Sequence, residues 1–541
     1  MTQAGPTRRA LLAGLSGAAL SWPLAGCASP SGPSLRVADD APGRPISPLI
    51  YGSNEIGRMD GGPLSATLDR HAMVAARRLG GNLMTAYNWV NNASNAGKDN
   101  RHSNGPFLME ALALPKSEWG RPGLVIEAMH EASLAMGAKS LVTLPLAGYV
   151  AADFLSVVPE EEAAPSRRFT PTRWSGATKA SDPIDPRVAD MPQLLARLVE
   201  RYGGADTSRG VHAYALDNEP AIWFQNHPRV TPQRVTIRDF IARSIVAARA
   251  IKAVDPAAKV FGPSSWGATG MVSFQDAPDW PEYKRYGSFL AAYLDAFRMA
   301  SERDGLRLLD VLDVHWYPFS NKGELFRTET PELDRARLDA PRSLTEPGFR
   351  EDSWVPRALR NIEGLALPIL PSLTALAARW FPGTQLAVTE FNYGGAGRLT
   401  SGLALADALG RFGQAGVYFA SHWGSLPQWL GEAYRLYRAP DAAGGDFGPR
   451  GLDVAIQGLP GLAAYAADDG KTLRLVLINR GEAALSVDVG FASGRLRRPA
   501  GVIGFDADRP QTTSLAEEAR LAEGGWRIVL PPRAARRYAF S

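Results

Sequence analysis

Eight short apolar runs, each followed by a polar or aromatic tip and then by a helix-like stretch, constrain the fold of this chain most strongly. The runs are continuous and bounded by turn residues, as expected for strands buried on both faces. Two end at Ile50-Tyr51 and Leu83-Met84, and the others are Ser140–Leu144, Val211–Leu216, Lys259–Phe261, Val311–Val314, Leu386–Val388 and Val417–Ala420. The pattern therefore predicts eight buried strands.

The segments between these runs have helical periodicity. Thr236 and Asp239 resemble a capping box before a helical apolar stripe, and Asp255-Pro256 stops that helix. Leu68–Leu79 behaves similarly and ends at Gly80-Gly81, which predicts another helix. The alternation predicts an α/β chain folded as a (β/α)8 TIM barrel. An open doubly wound sheet alternates in the same way, but eight units over about 400 residues favour the closed barrel.

The sequence pattern changes near Gly451, where short strand-like runs begin that are separated by Gly, Asp and Asn. These runs predict a small antiparallel β-sandwich, to which Leu35–Val37 is expected to add a strand. The alternative is a separate carbohydrate-binding module, which the single tryptophan of this region, Trp526, makes less attractive. The predicted organisation is an export signal at 1–27, a linker at 28–34, an N-terminal strand joining the sandwich at 35–45, the barrel at 46–450 and the sandwich at 451–541.

The N-terminus has the features of an export signal. Thr7-Arg8-Arg9 precedes the apolar run Ala10–Leu20, which is too short to span a membrane. The paired arginines resemble a twin-arginine signal, and Leu24–Cys27 resembles a lipoprotein lipobox. We therefore predict an exported protein of the cell envelope, periplasm or medium, with Cys27 lipidated and a lipid anchor in the membrane. The alternative is a plain secretory signal in which Cys27 has no role.

Composition excludes several classes of protein. The 59 basic and 55 acidic residues are scattered without a Lys/Arg-rich block, so nucleic-acid binding is not expected. The single cysteine excludes an internal disulfide. Seven scattered histidines show no zinc-like spacing and no EF-hand loop is present, so no metal site is predicted. A Gly-x-Ser-x-Gly nucleophile elbow is also absent from the sequence.

Two predicted strands deliver a glutamate at their carboxyl ends. The fourth leads into Asp217-Asn218-Glu219 and the seventh into Glu390. Active sites of such barrels form at this end. Glycosidic bond cleavage needs a paired acid and nucleophile or base, about 5 to 5.5 Å apart for retention of configuration and further apart for inversion. The pair therefore predicts glycosidase chemistry. A lone glutamate at a strand end would more often be merely solvated.

Seven further segments carry a more specific signature. They are 79–97 (LGGNLMTAYNWVNNASNAG), 214–223 (YALDNEPAIW), 226–229 (NHPR), 310–318 (DVLDVHWYP), 338–344 (LDAPRSL), 351–354 (EDSW) and 381–395 (FPGTQLAVTEFNYGG). In this order they resemble glycoside hydrolase family 44, with one departure at Val90, where a Glu is expected.

The resemblance implies a retaining endo-β-1,4-glucanase that also accepts xyloglucan or mixed glucans, with Glu219 as acid/base and Glu390 as nucleophile. It implies that Asn218 contacts the sugar 2-hydroxyl and that Tyr317 holds the nucleophile. No cofactor is needed for this chemistry, although members of the family can hold structural calcium, for which no ligand set stands out here. We expect a monomer.

Aromatic and amide side chains near the strand tips suit a glycan cleft, because sugars present apolar CH faces and hydroxyl groups. Trp89 and Trp423 are the strongest candidate platforms. The full predicted substrate-binding set is Asn88, Trp89, Asn91, Asn92, Asn218, His315, Trp316, Tyr317, Tyr393 and Trp423. A structural role is the alternative for each. Rival functions are hydrolysis mainly of xyloglucan, xylan or mannan, transglycosylation, and glycan binding by a catalytically silent lipoprotein.

Overall fold

The computed structural model describes residues 33–56, 73–326, 330–515, 519–522 and 524–541. The predicted export signal, the lipobox and Cys27 lie outside these residues. Within them, no helix is both long and apolar enough to cross a membrane.

Eight parallel strands close into a barrel, as the alternation of the sequence predicts. In chain order, barrel strands 1 to 8 are Gly52–Ser53, Ala76–Leu79, Lys139–Leu144, Ala213–Leu216, Lys259–Ser265, Val311–His315, Gln385–Phe391 and Phe419–His422. The lower part of the barrel is filled by small and apolar side chains such as Ala76, Ala213, Ala387 and Phe261. The barrel is thus a packed core that supports the site at its upper end.

Long helices surround the strands. They are Leu124–Ala135, Met191–Tyr202, Ile237–Val254, Phe289–Asp304, Ile369–Trp380, Leu399–Gln414 and Trp429–Arg438. The helix predicted after Thr236 is confirmed: the Thr236 hydroxyl accepts a hydrogen bond from the Asp239 amide at 3.0 Å, and Asp255 follows the last turn.

Barrel strand 2 differs from the prediction. Leu83-Met84 belong to a short helix, Asn82–Thr85, and the strand is Ala76–Leu79, where the sequence predicted the end of a helix. Residues 68–72 of that predicted helix lie outside the described residues. The two adjacent arginines, Arg77 and Arg78, gave this segment the appearance of an exposed surface, yet both are fully buried. A buried charge needs a partner, which only the closed barrel supplies.

Further short elements cover the carboxyl ends of the strands. The short helices are Phe107–Ala111, Trp223–Asn226, Gly267–Ser273, Trp280–Tyr283, Asp334–Asp339, Arg342–Thr345 and Val355–Ala358. Two small sheets comprise Tyr149–Ala151, Phe169–Arg173 and Ala189–Asp190, and Ser94–Asn95, Ser103–Gly105 and Ser156–Val157. These insertions form the walls of the site.

The C-terminal region forms two sheets. The five-stranded sheet has the order Val454–Gln457, Ser34–Val37, Leu485–Phe491, Gly525–Leu530 and Ala519–Ala522. The seven-stranded sheet has the order Arg44–Pro45, Arg450–Leu452, Leu462–Asp468, Leu473–Asn479, Ala534–Phe540, Pro499–Phe505 and Thr513–Leu515. All pairs are antiparallel except one: the N-terminal strand runs parallel to Leu485–Phe491.

A buried polar contact joins the seven-stranded sheet to the barrel. Asp407, on the helix before barrel strand 8, accepts hydrogen bonds from Tyr465 of the sheet and from Arg411 of its own helix. Arg480 of the sheet lies 3.4 Å from the same carboxylate. Because this buried carboxylate is surrounded by donors, it ties the two parts of the chain together.

Candidate active site

The two predicted catalytic glutamates face each other at the carboxyl end of the barrel. Glu219 follows barrel strand 4 in a left-handed conformation, with φ +45°, and its amide donates to Ser264 O at 3.1 Å. Glu390 lies in barrel strand 7. A carboxylate oxygen of each, together with Nδ1 of His315, lies within 4.8 Å of the others. An approach of the two carboxylates to within 4.8 Å is compatible with a retaining pair, whose carboxyl groups lie about 5 to 5.5 Å apart, and is too close for the roughly 6.5 to 9.5 Å of an inverting pair.

Burial gives Glu219 the protonation state that a general acid needs. It raises the pKa of Glu219 to about 8; the charge of Asp99 adds to this shift, and the charge of Arg78 opposes it. Glu219 therefore holds a proton at neutral pH, as a general acid must. His315 Nδ1 lies 2.9 Å from Glu219 Oε1 and 3.5 Å from Glu390 Oε2. Because burial lowers the pKa of His315, its imidazole is neutral between the two acids.

Two donors fix the carboxylate of Glu390. Arg78 Nη1 donates to Oε1 at 2.7 Å, and the Tyr317 hydroxyl donates to Oε2 at 2.9 Å. Burial, followed by the charge of Glu390, raises the pKa of Tyr317, so the phenol remains a donor. Both oxygens of the Glu390 carboxylate are thus held in place for attack. Arg78 was not identified from the sequence, although two arginines inside an apolar run were a visible signal.

Arg78 also organises the neighbouring amides. It donates to Asn54 Oδ1 at 3.0 Å and to Asn218 Oδ1 at 2.9 Å. The amide nitrogen of Asn218 is left for Asn82 Oδ1, at 3.2 Å, and for a bound sugar. Asn218 is therefore oriented by its neighbours before any substrate enters.

Asp217 supports this strand end from below. Its carboxylate is fully buried and accepts from the Thr85 hydroxyl, from the amide of Asn218 at 2.7 Å, and from the Leu146 and Ala147 amides. Burial nevertheless raises the pKa of Asp217 to about 7. Its left-handed backbone, with φ +66°, turns the chain so that Glu219 points into the cleft.

The glutamates lie in a cleft of about 710 Å³ with two unlike walls. The polar wall comes from the loops after strands 2 and 4, and the aromatic wall from those after strands 5 and 6. The polar wall is Asn82, Asp99, Asn218, Gln225 and Asn226, and the aromatic wall is Trp266, Tyr317, Phe319, Phe326 and Trp354. On the aromatic wall, Trp266 stacks on Trp354 with centroids 6.3 Å apart and planes 13° apart.

Trp423 lines the cleft, as the sequence predicted, and its indole ring packs against a position that only glycine can occupy. Gly81 has φ +75°, and a Cβ at this position would lie 2.2 Å from Cη2 of the Trp423 indole. The backbone after barrel strand 2 thus passes directly beneath the ring. An aromatic face presented in this way suits the apolar face of a sugar.

Of the other predicted binding residues, Asn218 and Tyr317 also line the cleft. His315 lies beneath it, against Glu219. Trp316 and Tyr393 are only 4% and 2% exposed, and neither lines the cleft. Both pack in the hydrophobic core that supports the upper end of the barrel.

The loop after barrel strand 2 does not bring its predicted residues to the cleft. Trp89 is 1% exposed within the hydrophobic core, so it cannot act as the sugar platform that the sequence suggested. Asn88, Asn91 and Asn92 use their amide nitrogens on backbone carbonyls of residues 151, 152, 119 and 121. Val90, the departure from the family pattern, packs partly buried against the same core. These residues brace the wall instead of binding sugar.

Sequence reasoning missed Asn82, Asp99 and Trp354 as cleft residues. Among the described residues, the one cluster with a metal-ligand arrangement is Glu219, His315 and Glu390. That cluster contains the reacting pair, Glu219 and Glu390. The positive charge of the adjacent Arg78 guanidinium disfavours a metal cation there.

Known proteins are similar to this chain in sequence. Residues 84–320 match the model of glycoside hydrolase family 44. Endoglucanase A of Paenibacillus lautus is 38% identical over 511 residues, which cover 91% of this chain and 70% of that protein. Beta-mannanase/endoglucanase A of Caldicellulosiruptor saccharolyticus is 36% identical over 512 residues, 90% of this chain and 37% of that protein.

Solved structures of family 44 enzymes have the same fold as this chain. A family 44 xyloglucanase of Paenibacillus polymyxa and a family 44 endoglucanase of Clostridium thermocellum each superpose with a TM-score of 0.86 at 35% identity. Each alignment covers 94% of this chain and 99% of the other. The predicted family is confirmed: the chain is a glycoside hydrolase and belongs to family 44.

Proposed function

We propose that this protein is a retaining endo-β-1,4-glucanase that cleaves cellulose-type, mixed-linkage or xyloglucan backbones. The observation that carries the proposal is the pair of buried carboxyl groups within 4.8 Å, of which Glu219 has a pKa of about 8 and Glu390 is held by Arg78 and Tyr317. The long open cleft suits the middle of a polymer chain better than its end.

In the first step, Glu390 attacks the anomeric carbon and Glu219 gives its proton to the departing glycosidic oxygen. A covalent glycosyl ester on Glu390 and a free sugar chain result. In the second step, Glu219, now ionised, takes a proton from water as the water oxygen attacks the same carbon. Glu390 leaves as a carboxylate, so the enzyme returns to its starting state with the configuration retained.

Azide rescue tests the two roles. Glu219→Ala should lose most activity on glucan but retain the first step on substrates with good leaving groups, and azide should then yield a β-glycosyl azide. In Glu390→Gly, azide should attack the anomeric carbon of a β-glycoside in place of the missing carboxylate and displace its activated leaving group, which inverts the configuration and yields the α-glycosyl azide. An exchange of these two outcomes between the variants would reverse the assignment.

The preferred polymer is a second question. The relatives are named as a xyloglucanase, endoglucanases and a mannanase/endoglucanase, which makes xyloglucan and mannan rival substrates, and xylan is the third rival from the sequence analysis. Relative rates of reducing-sugar release on a panel of these polysaccharides separate the alternatives. The intact carboxyl pair argues against a silent glycan-binding lipoprotein. The ratio of hydrolysis to transfer products separates hydrolysis from transglycosylation.

We propose that the C-terminal sheets form a β-sandwich with a structural role. Side chains of both sheets, such as Leu35, Val489, Leu475 and Tyr538, belong to one hydrophobic cluster. The half-buried Trp526 donates its indole N–H to Arg497 O at 2.7 Å, so its polar edge is used internally. Removal of the aromatic ring in Trp526→Ala should leave polysaccharide binding by the folded protein unchanged.

We further propose export with a lipid anchor at Cys27. The support is the order of paired arginines, apolar run and lipobox, followed by a short tether before the first strand at Ser34. Labelling with a radioactive fatty acid and membrane fractionation of wild type and Cys27→Ser test this. A monomeric state and structural calcium remain predictions, to be checked by light scattering and by elemental analysis of the purified protein.

A further inference from the structure

A series of hydrogen bonds runs along the polar wall of the cleft. Arg78, which holds Glu390, donates to Asn218, and Asn218 Nδ2 donates to Asn82 Oδ1 at 3.2 Å. Asn82 Nδ2 in turn donates to Asp99 Oδ2 at 2.7 Å. The series therefore begins at the nucleophile and ends at an exposed carboxylate on the rim of the cleft.

Asp99 decides which way the Asn82 amide faces. With its nitrogen bound to Asp99, Asn82 turns its oxygen toward the amide nitrogen of Asn218. The other neighbour of that oxygen is Nε2 of His227, at 3.3 Å, and burial lowers the pKa of His227 to about 3, so this ring is neutral. Without Asp99, the Asn82 amide is free to rotate so that its N–H groups point at the N–H groups of Asn218. Two donors cannot bond to each other, so the hydrogen bond between Asn82 and Asn218 would be lost.

The loop that carries Asp99 is firmly seated. Gly97 has φ +59°, and a Cβ there would lie 1.9 Å from Asn226 O, so the loop packs directly on the backbone of the next wall segment. Asn95 Oδ1 accepts the Gly97 amide at 2.8 Å. Close packing therefore fixes the backbone of this loop beside Asp99, and the hydrogen bond from Asn82 orients the Asp99 carboxylate.

Asp99 also acts through its charge. It lines the same cleft as Glu219, and its negative charge adds to the effect of burial in raising the pKa of Glu219. The other titratable or charged groups that face Glu219 are Arg78, His315, Tyr317 and Glu390, and those beside Asp99 on its own loop are Lys98 and Arg101.

We propose that Asp99 is a positioning residue of the reaction: through Asn82 it holds Asn218 toward the substrate, and it places a negative charge in the same cleft as the reacting pair. The inference rests on the proposed roles of Glu219 and Glu390. It assigns a function to a residue that touches neither reacting carboxylate.

Two substitutions separate the effects. Asp99→Asn removes the charge but keeps an oxygen that can accept from Asn82, whereas Asp99→Ala removes both. In pH profiles of kcat/KM on a soluble β-glucan, both variants should shift the alkaline limb to lower pH by about half a unit. At the pH optimum, Asp99→Asn should stay within about threefold of wild type, and Asp99→Ala should fall a further fivefold or more, since only it frees the Asn82 amide. Asp508→Asn, an exposed acid of the C-terminal region, is the matched control.

A substrate with an activated aryl leaving group supplies a second readout, because its departure needs no acid. The shift of the alkaline limb should vanish with it. The proposal is overturned if the Asp99→Asn profile on glucan coincides with that of Asp508→Asn, or if Asp99→Ala equals Asp99→Asn at the optimum. A wild-type enzyme inactive on every glucan would instead refute the proposed function. Asp99→Asn is nearly isosteric, so it remains informative even if Asp99→Ala does not fold.

Discussion

Replacement of the general acid should make the protein more stable at alkaline pH while abolishing its activity. In the native state, burial raises the pKa of Glu219 from its ordinary value of 4.5 to about 8. The native protein therefore retains this proton across a range in which the unfolded chain has already released it. The stability contributed by the raised pKa is complete below pH 4.5 and falls as the pH rises toward 8.

The shift corresponds to on the order of 5 kcal/mol in the free energy of unfolding, at about 1.4 kcal/mol per pH unit. Glu219→Gln keeps the shape of the side chain and cannot ionise, so it should escape this loss. Its free energy of unfolding, relative to wild type, should rise by several kcal/mol between pH 5 and pH 8.5.

Thermal melting of both proteins over this pH range measures the effect, with Glu161→Gln, an exposed acid, as the control. The difference in melting temperature between Glu219→Gln and wild type should widen steadily with pH, whereas the control should run parallel to wild type. The alkaline limb of the wild-type rate profile should lie near the same pH, about 8. Parallel melting curves for all three proteins would refute the assignment of a buried, protonated Glu219.

Three further substitutions test the walls and floor of the site. Arg78→Lys should lower kcat by about 100-fold, because one ammonium group cannot replace the guanidinium between the nucleophile and two amides; near-normal kcat would contradict this. Gly81→Ala should lower the free energy of unfolding by about 1–3 kcal/mol and raise KM, since its φ of +75° and the contact with Trp423 exclude a Cβ; Gly137→Ala, with open space around it, controls for backbone strain alone. Trp354→Ala should raise KM on glucan about 3- to 10-fold with little change in melting temperature; an unchanged KM would remove the stacked tryptophans from substrate binding.

Much of the architecture follows from local pattern. Six of the eight predicted strands overlap the strands observed, because continuous apolar runs bounded by turns have few other ways to be buried. The prediction failed at barrel strand 2, where buried Arg77 and Arg78 imitate a solvent-facing pattern. It also ended the first strand at Ile50-Tyr51, directly before the observed strand Gly52–Ser53. It also placed Trp89 in the cleft, because a tryptophan beside amides near a strand tip looks the same in sequence whether it is exposed or buried.

Glu219 and Glu390 can be located without the structure, since each ends an apolar strand and lies in a distinctive family segment. The residues that surround them become apparent only in the folded barrel. Arg78, Asp99 and Trp354 are far apart in the chain, and no local pattern links them to either glutamate. Their contacts arise because barrel closure brings the ends of distant strands and their loops together within a few ångströms, and the pKa of Glu219 depends on that enclosure.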